Sequence, residues 1–220
     1  MWSLPAIVLM EEKAVAVDLQ KDTKSEETAT GAEANTAPPE APPPPPYKKT
    51  LVIDSSIGAM TFLGEFGKVA PPGPYLRTSL GYEFLKWLMV VGEGELAFTD
   101  TSEREAPPRT RAFSIYGFGA GARFTIRFTD RFGIFAQPTV GFMKADVGRN
   151  ALGNVGFKDA EKFGTYLSGR IGVEWYQLDR HFALGVNFAG RLAQGFKITR
   201  VGTSDTPLIG DAGVSLRYAF

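Results

Sequence analysis

The 220-residue chain carries a single histidine and no cysteine, so thiolate catalysis, disulfides and thiolate metal sites are excluded. His181 could act as the base for a hydroxyl nucleophile. It falls in a short connection between two alternating segments, and a turn residue is the favoured reading. Glu93 and Glu95 lie two apart, on one face of any strand, where paired carboxylates can do acid–base work. They can equally face Arg123 or Arg170, and ion pairing is favoured. Gly117-Phe118-Gly119-Ala120-Gly121 superficially resembles a phosphate loop, but lacks its lysine and its strand-to-helix setting. Glycine at every second position reads instead as relief of crowding on a strand face. Asp146, Asn150 and Asp159 match no recognised cation-binding spacing, and a solvated surface is favoured. No metal-ligand spacing exists, and no cofactor or catalytic residue is expected.

These residues need elements to hold them. From Leu51 onward, apolar and polar residues alternate with a period of two in eight segments. The segments run about Leu51–Leu63, Tyr75–Phe84, Leu88–Thr99, Ala112–Phe128, Phe132–Met143, Tyr166–Trp175, Phe182–Leu192 and Leu208–Phe220. In the second, Leu76, Leu80, Tyr82 and Phe84 share one face while Arg77, Ser79, Gly81 and Glu83 share the other. Pro138 interrupts the fifth and demands a bulge or local distortion, because proline removes a ladder donor. Short turns at Leu85-Lys86-Trp87, Thr129-Asp130-Arg131 and Tyr176 to His181 alternate with long gaps at about 64–74, 100–111, 144–165 and 193–207. That rhythm fits an all-β, eight-stranded antiparallel up-and-down transmembrane β-barrel with short periplasmic turns and long outer loops. Both termini then fall on the periplasmic side.

The chain before the strands is different. Residues 17–49 are rich in Glu, Ala, Thr and Pro and contain the run Pro42 to Pro46. They cannot bury enough apolar area to offset their ordering entropy, so a disordered periplasmic linker is expected. Its proline run should be stiff, at about 3 Å per residue. A plain linker is favoured over a tether to peptidoglycan or another envelope protein. Residues 1–16 read as a remnant signal segment, with an apolar Trp2 to Met10 and a cleavage-like Ala14-Val15-Ala16. No stretch reaches the roughly 20 apolar residues of a spanning helix. A formal net charge of zero offers no electrostatic case for nucleic acid.

The polar face separates a membrane barrel from a soluble one. It carries Gly, Ser and balanced charges rather than a fringe of Lys, Glu and Gln. Asp54, Glu83, Glu93, Glu95, Glu174 and Asp211 stand against Arg77, Arg123, Arg127, Arg170, Arg191 and Arg217, the balance a lumen ion-pair network requires. The apolar face carries aromatics beside the short turns and the chain end: Phe84, Trp87, Phe128, Phe132, Trp175, Tyr176, Phe182, Tyr218 and Phe220. They read as a girdle at one membrane boundary. Phe157 and Phe163, in the 144–165 loop, could anchor that loop to lipid or a partner.

The end of the chain, Val214-Ser215-Leu216-Arg217-Tyr218-Ala219-Phe220, resembles the C-terminal signature of bacterial outer-membrane barrels. With alternate apolar positions Val214, Leu216, Tyr218 and Phe220, that resemblance implies insertion by the barrel-assembly machinery. Region 50–220 resembles the OmpA/OmpX-type small barrels, which implies an outer-membrane location and a lipid-bilayer environment. One departure is that no globular peptidoglycan-binding domain follows the barrel, which puts cell-wall binding in doubt. Some barrels of this size modify lipid A using a histidine near the outer leaflet. His181 lies on the periplasmic side, the wrong one for that chemistry. A small barrel behind a proline-rich leader also resembles outer-membrane components of surface-motility machinery, though no motif carries the link. The expected function is therefore non-enzymatic: structural, adhesive or within an envelope complex, acting through outer loops and periplasmic tail on surface or periplasmic protein partners. A narrow pore or transport-associated protein is the alternative, and a lipid A-modifying enzyme a more remote one.

Overall fold

A computed structural model describes residues 50–100, 112–147, 151–177, 181–199 and 205–220. The expected signal segment at 1–16 and linker at 17–49 lie outside the described residues. The strands are β1 (Thr50–Leu63), β2 (Gly73–Leu85), β3 (Leu88–Asp100), β4 (Ala112–Arg127), β5 (Phe132–Asp146), β6 (Gly164–Tyr176), β7 (Phe182–Ala193) and β8 (Leu208–Ala219). Each pairs antiparallel with its sequence neighbour, and β8 closes on β1. The fold is thus a closed eight-stranded all-β barrel. Closure leaves no edge strand.

Residue pairing fixes the stagger. One circuit of paired residues runs Phe62, Ile209, Arg191, Ser168, Thr139, Gly121, Val91, Gly81 and back to β1 at Val52. The return is displaced from 62 to 52, a shear of ten residues. Such a stagger tilts the strands and sets a lumen that side chains can fill. Pro138 leaves the register unchanged: on β4, pairing stops after Gly121–Thr139 and resumes at Phe124–Ala136 with the same offset. The distortion is a gap in the ladder rather than a bulge. The register shift lies elsewhere, between Glu83 and Leu85 at the first short turn.

Alternation now has a direction. Along β2, Tyr75, Arg77, Ser79 and Glu83 are buried while Leu76, Thr78, Leu80 and Tyr82 are exposed. The same parity holds around the barrel. Among the described residues, 34 large apolar side chains are exposed, from Leu51 through Phe220. A water-soluble monomer rarely exposes a contiguous apolar patch beyond a few hundred Å². Within the strands, the only outward-facing charged residues are Asp100, Lys144 and Asp146, all at the long-loop end. The Thr50 and Ala219 ends of β1 and β8 lie together at the opposite end, beside the short turns.

Candidate functional site

The charged side chains that the sequence singles out converge on the lumen, so the lumen and its mouth are the site to build. Inward positions on seven of the eight strands, all but β5, bring charges together in three groups. Near the long-loop end, Arg77 Nη2 lies 3.2 Å from Glu95 and 2.8 Å from Asp211. Arg191 pairs with the same two carboxylates. The four charges close into a ring in which each touches two of opposite sign. At mid-height, Arg170 Nη2 lies 3.1 Å from Glu93, which also accepts from Gln137 Nε2 at 2.9 Å and Tyr166 Oη at 3.3 Å. Toward the short turns, Asp54, Arg123, Glu174, Arg217 and Glu83 form an open chain of alternating sign. Tyr176 Oη donates to Glu174 at 2.7 Å, and Arg127 lies over the Tyr176 ring at 4.8 Å.

The twelve charges singled out by sequence therefore all face the lumen; eleven of them meet a counter-charge at close range, and Arg127 stacks on Tyr176. Burial raises the stakes of each pair. Removing one partner from a buried ion pair costs about 3–5 kcal/mol, because the survivor is left uncompensated in a low dielectric. Glu93 and Glu95 share a face, but separate arginines hold them: Arg170 the first, Arg77 and Arg191 the second.

Inner glycines make room for these groups. A Cβ on Gly117 would sit 2.7 Å from Glu95 Oε1, and one on Gly119 would sit 2.5 Å from Tyr166 Oη. Tyr75 likewise crosses Gly213, where a Cβ would meet its hydroxyl at 2.5 Å. The glycine run on β4 is thus a seat for side chains of neighbouring strands.

Inward aromatics are what sequence reasoning missed. Tyr75, Phe135, Tyr166 and Tyr176 are all buried. The guanidinium of Arg123 lies 3.6 Å above the Phe135 ring, a cation–π contact. Tyr176, expected in the girdle with Trp175, points into the lumen instead, because adjacent residues of a strand face opposite ways. The rest of the girdle set faces out: Phe84, Trp87, Phe128, Phe132, Trp175, Tyr218 and Phe220 are exposed, and Phe182 is half-buried. Phe132 stacks on Trp175 at 6.4 Å, and Tyr218 meets Phe220 edge-on at 4.9 Å. Val214 and Leu216 share that outer face.

The long-loop mouth holds a second core that periodicity did not reveal. Phe66, in a 3-10 turn at Phe66–Lys68, packs edge-on against Phe62 at 4.9 Å, Phe157 at 5.0 Å and Phe196 at 4.8 Å. Three separate long connections each contribute one of those rings. Met60, Ile115, Met143, Leu152, Ala160 and Ile209 join the cluster. Phe157 is therefore a core residue, not a lipid anchor; Leu152 and Ala160 are buried with it, while Asp146, Lys158, Asp159 and Lys162 of the same segment stay exposed. Phe163 does face out, 5.5 Å from Phe118. Asp205 ties the cap by accepting the backbone N–H groups of Glu65 and Ile198, each at 3.2 Å. Gly64, at φ +90°, takes the left-handed turn beside it.

The remaining candidates are not brought together into one site among the described residues. His181 Nδ1 lies 2.6 Å from the Ala219 carbonyl, to which it donates. Asp159 pairs with Lys162 at 3.3 Å, Asp146 is exposed, and Asn150 lies outside the described residues. No group of three or more metal-binding side chains occurs among the described residues.

No protein-family model matches the chain, and no curated protein matches it. Solved structures do. Neisserial surface protein A (NspA) aligns at 16% identity with a TM-score of 0.52, over 77% of this chain and 97% of its own. Ail, the attachment invasion locus protein of Yersinia pestis, solved with the heparin analogue sucrose octasulfate, aligns at 15% identity with a TM-score of 0.51. That alignment covers 79% of this chain and all of Ail. At such identities the likeness establishes the fold, which is that of the small eight-stranded outer-membrane barrels.

Proposed function

We propose that the protein is a non-enzymatic integral barrel of the bacterial outer membrane with a sealed lumen, acting through its long loops and its N-terminal segment. The observation that carries this reading is the division of charge. Charged side chains within the strands point into the lumen, save three at the long-loop rim, while the outer wall between the rims is predominantly apolar. Hydrocarbon is the solvent that such a wall suits. Short turns and both strand termini then face the periplasm, and the capped loops face outward. The aromatic row beside the short turns would lie at the inner boundary. Val214, Leu216, Tyr218 and Phe220 would be read by the barrel-assembly machinery during insertion.

The alternative of a narrow pore is disfavoured by the cap. An ion path would have to cross the phenylalanine cluster and then three layers of paired charges. Planar-bilayer recordings of the refolded protein should show no unitary conductance, and stepwise currents would revive the pore. The membrane reading is tested by fractionation with gel mobility. The protein should sediment with outer membranes and migrate differently before and after boiling. A single position, with the protein in the soluble fraction, would refute it. Outer-loop contact with surface or partner proteins is the role left to a barrel with no reactive centre, and crosslinking from the cap in intact cells would identify the partner.

A further inference from the structure

The outer wall is not uniform. Near the long-loop end, β4, β5, β6 and β7 leave an apolar groove of about 860 Å³, with Phe118, Val140, Phe142, Leu167 and Leu192 along its walls and Ala120 on its floor. Its volume is in the range of sites that hold a ligand of lipid-chain size. Two polar side chains, Thr165 and Gln194, lie at its upper end, where the wall passes from apolar to polar. The ring of Phe163 packs on Phe118 at 5.5 Å and so extends the groove toward the loops. Lys144 stands over Phe163, its Nζ 5.2 Å from the ring centre. Among the described residues, Lys144 is the only outward-facing cation in any strand.

An apolar trough headed by a cation and two hydrogen-bonding side chains is complementary to one kind of molecule. We infer that this groove binds an anionic lipid of the leaflet next to the long loops, with an acyl chain against Val140, Leu167 and Leu192 and its phosphate at Lys144. The inference rests on the membrane reading above. The alkyl stem of Lys144 covers apolar surface while its ammonium reaches the headgroup level, as long cationic side chains do at membrane boundaries. Asp146, two residues further along the same face, lies beyond Lys144 toward the loops. The groove's cation thus stands between the acidic residue and the hydrocarbon.

The test uses the full-length protein refolded into vesicles of mixed phosphatidylglycerol and phosphatidylcholine, then extracted in mild detergent for native mass spectrometry. Wild type should retain phosphatidylglycerol preferentially. Lys144→Gln should lower that preference about fivefold, the effect of one lysine at an anionic surface, and Lys144→Glu should lower it further. Ala120→Trp, which fills the trough, should reduce retention of both lipids, whereas Ala212→Trp on another part of the wall should not. Equal retention of the two lipids by wild type, or a preference that survives Lys144→Glu, would overturn the proposal and leave ordinary boundary lipid. Heat-modifiable mobility is measured on each preparation. Failure of wild type to fold into vesicles at all would instead strike the membrane reading on which the groove depends.

Discussion

Arg77, Glu95, Arg191 and Asp211 close a ring of four charges in the lumen, while Phe62, Phe66, Phe157 and Phe196 close a cluster of four rings at its long-loop mouth. The two lie next to each other, since Met60 of the cap pairs with Asp211 of the ionic ring across the β1–β8 ladder. Their energetics differ in kind. The phenylalanines gain by leaving water and packing, whatever partner they meet. The charges gain only with all members present, because their desolvation is repaid solely by well-placed opposites. One region should therefore fail gradually and the other abruptly.

The largest effect should come from Arg191→Met. It strips one counter-charge from each of Glu95 and Asp211 and should destabilise the barrel by about 3–5 kcal/mol, read from urea unfolding of the vesicle-inserted protein. Adding Asp211→Asn should recover part of that loss by restoring neutrality. A double variant no better than the single would mean that the ring is not an electrostatic unit. Phe66→Ala should cost about 3 kcal/mol through the cavity left among three rings, while leaving the transmembrane strands protease-resistant. Asp205→Ala removes the acceptor of two backbone donors and should cost about 1–2 kcal/mol, seen as earlier proteolytic clipping of the cap. Lys162→Ala breaks an exposed pair with Asp159 and should shift stability by less than about 0.5 kcal/mol.

The same contrast explains what could be read from sequence. The strands were legible because the two faces of each obey one rule. Arg77 between Leu76 and Thr78 has to point away from both, whatever the rest of the chain does. The ends of β1 and β8 differ by one residue from expectation, and β5 runs on to Asp146 past the expected Met143. Which carboxylate each arginine meets was not legible. That depends on the shear of ten residues, which rotates side chains on distant strands to a common height. The cap was hidden for another reason. Phe66, Phe157 and Phe196 sit in connections without period, so nothing local distinguishes an inward ring from one turned to lipid. Tyr176 could have been placed, since parity with Trp175 and Glu174 was available and the aromatic cluster at the strand end obscured it.

The seam between the first and last strands has a consequence for how the molecule comes into being. Arg77 finds Asp211, and Glu83 finds Arg217, each across 134 positions of chain. Neither contact can form, and the cylinder cannot shut, until β8 is in place. Strands β1 to β7 by themselves would leave Arg77 and Arg191 sharing Glu95 alone, beside an open sheet.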